Sequence, residues 1–246
     1  MLAKFRKLLG KQKETGKGIR PIHVAFTTEG KTIWAKKNNV PIGEVYNQSF
    51  LLIKSTIRTQ ILQSIPITTF YLLSSDMKDL EQFSVLIDSF VDFFTELIES
   101  DFIHDNQIKI SVLGKWYDLP GRVIDPIKEV IDSTHDYENY FVNFCINYHG
   151  QDEIVDACKF LGRQIKADKL DPDAITRDLI RENLYSSTLL PPDIIIKNGY
   201  KKRKGDLLLW DSVHAMIYYT NKLWPDFEKQ DFLNALEEFS KLRKFP

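Results

Sequence analysis

Two short segments of this chain place charged side chains directly after predicted buried strands. The first, Thr27-Thr28-Glu29-Gly30-Lys31-Thr32-Ile33-Trp34, follows the apolar run Ile22–Thr27, and the second, residues 197–205, follows Ile194–Ile196. Five of the eight residues from Lys197 to Lys204 are Lys or Arg, so the second segment attracts anions. Taken alone, this segment is most simply a solvated basic turn, and a weak nucleic-acid patch is another interpretation. Because ligands of open α/β sheets bind beyond the carboxyl ends of the strands, we expect both segments to converge on one edge.

Six short, β-branched, apolar runs predict the strands that position these segments. Most are apolar throughout, which is typical of strands buried on both faces of a parallel sheet. Amphipathic stretches long enough for crossover helices separate them. We therefore predict an α/β fold, a single domain with an open, mostly parallel six-stranded sheet flanked by helices. The predicted strands are Ile22–Thr27, Ile67–Leu73, Ile108–Leu113, Tyr140–Tyr148, Ile194–Ile196 and Ala215–Thr220.

Four helices are predicted from apolar residues at helical spacing. They are Leu80–Ser100, Gln151–Ala167, Thr176–Tyr185 and a C-terminal helix, Asp226–Ser240. A further helix start is predicted at Pro172, where Asp171 is placed to cap the first turn.

The amino-acid composition limits the classes of protein to which this chain can belong. The chain has 246 residues, of which 43% are hydrophobic and 27% charged, enough for one large globular domain. A formal net charge of -1 argues against a general nucleic-acid binder. Cys145 and Cys158 form no C-x-x-C pair, so we expect reduced thiols in a cytoplasmic protein and no zinc site. No run of about 18 apolar residues exists, and no transmembrane helix is expected.

The N-terminal residues 1–20 are predicted to be a segment separate from the domain at 21–246. They carry seven Lys or Arg and one Glu, while Leu2, Phe5, Leu8 and Leu9 repeat at helical spacing. Such a helix can lie on an anionic membrane surface as a peripheral contact. It can equally cover the core with its basic side in water.

The first segment resembles the signature M-D-G-N-x-R-W-A of the cis-prenyltransferases, the undecaprenyl diphosphate synthase family. The acid–glycine pair is present as Glu29-Gly30, and Trp34-Ala35 is retained. The family's Asn is Lys31 here, and its Arg is Ile33. The resemblance implies that Glu29 stands at the position of the catalytic carboxylate, and that Gly30 and Lys31 belong to the loop that holds the allylic diphosphate.

The second segment and the region after it also resemble this family. Residues 196–210 are similar to R-T-G-G-E-x-R-x-S-x-F-L-L-W, in which two Arg and a Ser hold the diphosphate of isopentenyl diphosphate. Their positions are Lys197, Arg203 and Gly205 here. Residues 214–227 are similar to A-E-L-Y-F-T-x-x-L-W-P-D-F, with a complete L-W-P-D-F match. The Glu that helps bind Mg²⁺ is Met216, and a thioether does not suit this hard cation.

Cis-prenyltransferases couple isopentenyl diphosphate to an allylic diphosphate and act as dimers. In some organisms one subunit is degenerate and lends a C-terminal R-x-G motif to its active partner. The tail Arg243-Lys244-Phe245-Pro246 resembles the family's R-R-F-G. Lys244 and Pro246 stand at the positions of the Arg and the Gly of R-x-G. This tail is consistent with a contribution to the partner's site and equally with a solvated terminus.

The leading hypothesis is therefore a non-catalytic or weakly active subunit of a heteromeric cis-prenyltransferase. The complex would make a long-chain polyprenyl diphosphate, such as a glycosyl carrier lipid, with Mg²⁺ held by an intact homologue and no metal ligand on this chain. One alternative is a divergent active enzyme that uses Glu29. Another is a prenyl diphosphate-binding protein with no role in condensation. Neither alternative involves nucleic acid.

Overall fold

One parallel sheet organises the chain. A computed structural model describes residues 20–77, 82–200 and 205–242. Within these residues, six strands lie in the order β3-β4-β2-β1-β5-β6, and every neighbouring pair is parallel. All six predicted strands are confirmed, with ends shifted by at most one residue. The strands are β1 His23–Phe26, β2 Ile67–Ser74, β3 Ile108–Leu113, β4 Tyr140–Tyr148, β5 Ile194–Lys197 and β6 Met216–Tyr219.

Helices connect the strands and cover both faces of the sheet, as the single-domain α/β prediction requires. The predicted helices at 80–100, 151–167, 176–185 and 226–240 correspond to α3, α6, α7 and α8, and the sequence interpretation missed α1, α2, α4 and α5. The helices are α1 Lys31–Asn38, α2 Ile42–Leu62, α3 Phe83–Ile98, α4 Asp101–Asp105, α5 Gly121–Ser133, α6 Gly150–Lys166, α7 Arg177–Glu182 and α8 Lys229–Leu242.

The central strands bury both of their faces. In β1, Val24 and Phe26 pack into the larger core, whereas Ala25 packs into a smaller core on the other face. β5 follows the same alternation, because Ile194 and Ile196 pack into the larger core and Ile195 packs into the smaller core. This two-residue period explains why these strands are apolar throughout.

An aromatic layer fills the larger core between the sheet and helices α2 and α3. Phe50 of α2 stacks on Phe93 of α3 with ring centroids 4.5 Å apart, and Phe26 stacks on Phe70 at 4.9 Å. Trp224 is fully buried beside Phe26, at a centroid distance of 6.2 Å. The L-W-P-D-F segment is therefore a packing element that holds the end of β1.

The predicted helix turn at Pro172, capped by Asp171, is confirmed, but it does not continue into a longer helix. Asp171 does accept a hydrogen bond from the N–H of Asp173, but residues 172–174 form a single 3-10 turn. Ile175 and Thr176 are extended, and α7 begins at Arg177 with the Thr176 hydroxyl as its cap. Two successive β-branched residues favour this extended break over a continuous helix.

The N-terminal segment predicted at residues 1–20 lies outside the described residues except for Arg20. Among the helices that are described, none is both long enough and apolar enough to cross a bilayer.

Candidate functional site

A cleft of about 520 Å³ opens where β1, β2 and β5 end. Its position confirms the expectation that the segments following β1 and β5 share one edge of the sheet. Residues from six parts of the chain line it, namely residues 27–33, Tyr46, residues 71–74 with Asp76, His149, Gly199 and Tyr200 with Asp206, and Leu223.

Backbone contacts fix the turn between β1 and α1. The N–H of Thr27 donates to the carbonyl of Ile196 at 3.1 Å, and the N–H of Trp224 donates to the carbonyl of Glu29 at 2.8 Å. Gly30 has a φ of +101°, and a Cβ there would lie 2.6 Å from the Leu223 side chain. The left-handed backbone and the close approach of Leu223 together explain why this position is glycine.

The first turn of α1 lies along the wall of the cleft. Gly30 precedes the helix and provides no side-chain cap, and no acidic residue occupies the first turn. The first N–H groups of a helix carry a partial positive charge, and they bind anions when no side chain satisfies them. Gly30 and Lys31, both predicted as site residues, thus lie at a position suited to a diphosphate.

Glu29, which lines the cleft, is paired with the buried Lys197. The Lys197 ammonium donates to Glu29 Oε1 at 2.5 Å, although the two residues are 168 positions apart. The Lys197 side chain is 1% exposed, whereas that of Glu29 is 42% exposed. A Cβ on Gly205 would lie 3.4 Å from the same ammonium, so Gly205, which was predicted to bind the diphosphate, lies beside the pair. The cation predicted to hold a diphosphate is therefore already paired with a carboxylate.

Lys31 folds back onto its own loop. Its ammonium donates to the carbonyl oxygen of Thr28 at 2.5 Å and to the Thr28 hydroxyl at 3.0 Å. Thr28 is itself buried with a φ of +46°, and its hydroxyl donates to the carbonyl of Tyr71. Although Lys31 keeps part of its surface exposed, desolvation lowers its pKa to about 8, against the opposing attraction of Glu29. Lys31 is therefore a charge in the cleft that titrates near neutral pH.

The cleft is also lined by polar residues that the sequence interpretation did not assign to the site. Asp206 accepts hydrogen bonds from the Tyr71 hydroxyl at 3.3 Å and from the N–H of Gly150 at 3.1 Å, and lies 3.5 Å from His149 Nδ1. Burial raises the pKa of Tyr71, which stays a neutral donor. Since β2 lies beside β1, the rule that placed Glu29 at the strand ends also predicts Tyr71 there.

Several predicted residues lie outside the part of the chain that the structure describes. They are Arg203 and the tail residues Arg243, Lys244 and Phe245. The lining that is described therefore carries the ammonium group of Lys31 and the carboxylates of Glu29, Asp76 and Asp206, and the buried Lys197 ammonium is paired with Glu29.

The described donors do not fit Mg²⁺. This ion prefers hard oxygen ligands, but the Glu29 carboxylate already accepts a hydrogen bond from the Lys197 ammonium. Met216, at the position of the family's Mg²⁺-binding Glu, packs against the larger core. Among the described residues there is no group of three or more His, Cys, Asp or Glu side chains arranged to hold a metal.

Comparison with known proteins agrees with the fold. Residues 28–245 match the prenyltransferase family described as putative undecaprenyl diphosphate synthase. The match covers most of the chain, which therefore belongs to this family.

Relatives and solved structures extend over nearly the whole chain. The tritrans,polycis-undecaprenyl-diphosphate synthase (geranylgeranyl-diphosphate specific) of Pyrococcus horikoshii is 31% identical over 91% of this chain and 86% of its own. An isoprenyl transferase of Thermotoga maritima is 29% identical over 90% and 94%, respectively. Lavandulyl diphosphate synthase from Lavandula x intermedia, solved with dimethylallyl diphosphate, superposes with a TM-score of 0.85 at 25% identity, covering 90% of this chain and 95% of that chain.

Proposed function

We propose that this chain is a non-catalytic or weakly active subunit of a heteromeric cis-prenyltransferase that makes a long-chain polyprenyl diphosphate. The contact between Glu29 and Lys197 carries the proposal, because it neutralises the two groups that the family resemblance assigns to diphosphate and metal binding. Catalysis by ionisation of an allylic diphosphate needs positive charge arranged on the leaving group. An ammonium that is already paired with a carboxylate provides little of it.

Two further substitutions support a weakened site. Ile33 stands where the family has Arg and is 54% exposed, so it lines the cleft without a charge. Met216, at the position of the family's Mg²⁺-binding Glu, packs against the core. A misplaced catalytic group can cost roughly a hundredfold in rate. In the proposed complex, the intact homologue holds Mg²⁺ and carries out the condensation.

The proposal also assigns roles to the two ends of the chain, one toward the partner subunit and one toward the membrane. The tail residues Arg243, Lys244 and Phe245 would reach the partner's site, and the basic segment at residues 1–20 would contact the membrane surface peripherally. Both can be tested by truncation within the complex, with the remainder of the chain unchanged.

A divergent active enzyme is the second candidate, because the cleft and the open first turn of α1 are present. Relatives across the family are named as synthases, and the lavandulyl diphosphate synthase fold superposes closely. This candidate requires turnover by the chain alone that depends on Mg²⁺ and disappears in Glu29→Ala. The prenyl diphosphate-binding protein is the third candidate, and it requires binding without product in any mixture.

The test is incorporation of labelled isopentenyl diphosphate onto an allylic primer with Mg²⁺. The chain alone, an intact homologue from the same genome, and their mixture are compared at equal concentration. We expect product in the mixture to exceed the sum of the separate reactions at least tenfold, because the chain completes the homologue's site. Turnover by the chain alone at the rate of the mixture would refute the proposed role.

A double variant that returns the family's charged residues to the cleft tests whether their loss explains the low activity expected of the chain alone. Glu29→Asp with Ile33→Arg shortens the carboxylate and returns the family's cation at an exposed position. We expect turnover by the chain alone to rise at least tenfold. Ile175→Arg is the matched control, since Ile175 is 37% exposed and lies outside the cleft. If the control rises equally, the charges of the cleft are not the reason for low activity.

A further inference from the structure

A groove runs along the outer surface between helices α2 and α3. The ring of Phe50 contacts that of Phe93, and farther along both helices Lys54 forms an ion pair with Glu96. Because these contacts advance together along the two sequences, the helices lie parallel. The groove continues toward their carboxyl ends, where it is lined by Ile57, Arg58, Leu97, Ser100, Phe102 and Ile103.

A hollow of about 150 Å³ lies in this α2–α3 groove. The buried rings of Phe50 and Phe93 line it, and Leu51 at its rim is 61% exposed. In another protein, an apolar cavity of about 150 Å³ binds benzene. The hollow therefore has room for one aromatic side chain. It has no lining residue in common with the cleft at the strand ends.

Carboxylates follow the α3 side of the groove. Asp88, Asp92 and Glu96 are spaced four residues apart, so they lie in one row on the surface of α3. Asp88 and Glu96 form ion pairs with cations of other helices. Asp92 forms no ion pair with any residue that the structure describes. Because like charges at this spacing repel each other, the row favours a cationic partner.

The chain before β1 leads to one end of the groove. The Arg20 guanidinium donates a hydrogen bond to the carbonyl of Gln63, directly after α2 ends. Residues 1–19 come before this point and lie outside the described residues. Along α2, the distance from Gln63 back to Leu51 is about 18 Å at roughly 1.5 Å per residue. Residues 10–19 span about 33 Å when extended, so the residues before them can reach the hollow.

The sequence of residues 1–19 is complementary to the groove. A helix over residues 2–9 would place its four apolar side chains on one face, with Phe5 at the centre of that face. Lys4 and Arg6 would border the face on its two sides. Residues 10–19 contain three glycines, which is typical of a flexible linker. The segment thus offers one aromatic side chain to the hollow and cations to the acidic row.

We infer that residues 2–9 dock as a helix in the α2–α3 groove, with the Phe5 ring in the hollow and the flanking cations beside the acidic row. A short linker holds the segment at an effective concentration in the millimolar range, so a weak contact suffices to keep it docked. The inference goes beyond the proposed subunit role and does not depend on it. It does concern the proposed membrane contact, because the same apolar side chains leave the groove when they enter a membrane.

Cysteine labelling in the full chain tests the docked position. Leu51→Cys is introduced with Cys158→Ser, which leaves Cys145, a buried thiol, as the other cysteine. The rate of reaction with iodoacetamide is compared between this protein and the same protein carrying Phe5→Ser. We expect Leu51→Cys to react at least tenfold more slowly when Phe5 is present. Equal rates would overturn the inference.

Two controls show whether this protection is specific. Leu62→Cys replaces Leu51→Cys in the first, because Leu62 is 67% exposed on the same helix and lies nearer to Arg20. Its rate should change less than twofold with Phe5→Ser, whereas equal protection of both cysteines would contradict a defined docking position. Lys7→Ser is the second control, since helical spacing places Lys7 opposite the apolar face, and it should leave the protection of Leu51→Cys in place.

Reversal of one charge tests the acidic row. Asp92→Lys should reduce the protection of Leu51→Cys to less than threefold, because it places a cation where the segment brings its own. Asp136→Lys is the matched control, since Asp136 is 85% exposed and lies outside the groove. Unchanged protection in an Asp92→Lys protein with a cooperative thermal transition would contradict the role of the row.

Vesicles separate docking from the membrane contact. Anionic vesicles of equal parts phosphatidylcholine and phosphatidylserine should abolish the protection of Leu51→Cys, and vesicles of phosphatidylcholine alone should leave it. Protection that persists while the chain sediments with anionic vesicles would contradict the exchange between groove and membrane. Absence of protection without lipid would overturn the docking alone, because the incorporation of isopentenyl diphosphate is measured independently.

Discussion

The two ends of β1 use polar residues in different ways. At the amino end, His23 is fully buried, with Nδ1 2.7 Å from the carbonyl of Leu190 and Nε2 2.8 Å from the Thr69 hydroxyl. Because a carbonyl only accepts, Nδ1 donates and Nε2 accepts from Thr69. At the carboxyl end, Glu29 is partly exposed to the cleft, and the first turn of α1 has no side-chain cap.

This difference separates structural polar groups from groups available to a ligand. The amino end satisfies both nitrogens of a neutral imidazole, and Asn143 donates a further hydrogen bond to Thr69. Such a network stabilises the sheet and offers nothing to a ligand. The carboxyl end leaves hydrogen-bonding capacity and charge at the surface of the cleft. Three perturbations, in order of decreasing expected effect, test this contrast.

The largest effect is expected when the pH is lowered, because His23 at the amino end of β1 then becomes protonated. Burial lowers the pKa of His23 from 6.5 to about 4, against the opposing effects of the Leu190 hydrogen bond and of Asp193. The neutral imidazole therefore contributes stability that is fully present above pH 6.5 and is lost as the pH falls toward 4. The difference corresponds to about 3 kcal/mol in the free energy of unfolding. Urea unfolding at pH 7 and pH 4 measures it.

Carboxylates also titrate in this range, so variants are needed to isolate His23. His23→Gln removes the titrating group, and its loss of stability between the two pH values should be smaller than that of the parent by about 3 kcal/mol. His135→Gln changes a histidine that is 65% exposed and should follow the parent. Equal acid sensitivity of His23→Gln and the parent would show that His23 is not the source.

The second effect concerns the unequal burial of Glu29 and Lys197. Glu29→Gln leaves the buried Lys197 ammonium without its carboxylate, whereas Lys197→Met leaves a partly exposed carboxylate that water can solvate. We therefore expect Glu29→Gln to be the more destabilising variant, by about 1–3 kcal/mol. Urea unfolding at neutral pH compares the two. The double variant should be close to Lys197→Met, and equal losses in both single variants would argue against the asymmetry.

The smallest effect concerns Lys31. Because its pKa is lowered to about 8, its ammonium is charged at pH 7 and mostly neutral at pH 9. Affinity for inorganic diphosphate should fall about three- to tenfold over this range, equivalent to roughly 1 kcal/mol. Isothermal titration at both pH values measures the change. Lys31→Arg keeps its charge and should show a smaller decline. An affinity that is unchanged in the parent would exclude Lys31 from the anion site.

Much of the fold could be predicted from sequence because strand and helix signals are local. The apolar runs at β1 and β5 identified the strands, and the carboxyl-end rule placed Glu29 and Lys197 on the same edge. Helix α2 was missed, although its Tyr46 lines the cleft and its Phe50 packs in the larger core. Its polar and apolar residues mix less regularly than those of α3, whose apolar stripe was clear.

Local periodicity thus decided the type and approximate bounds of most elements, since each signal spans only a few neighbouring residues. The order of the strands, the contact of Glu29 with Lys197 and the stacking of aromatic rings in the larger core were decided by the tertiary structure. These features join residues far apart in the chain, such as Phe50 and Phe93 on different helices. Their distances depend on how the helices pack against the sheet, because close packing of side chains selects one arrangement among many with the same pattern.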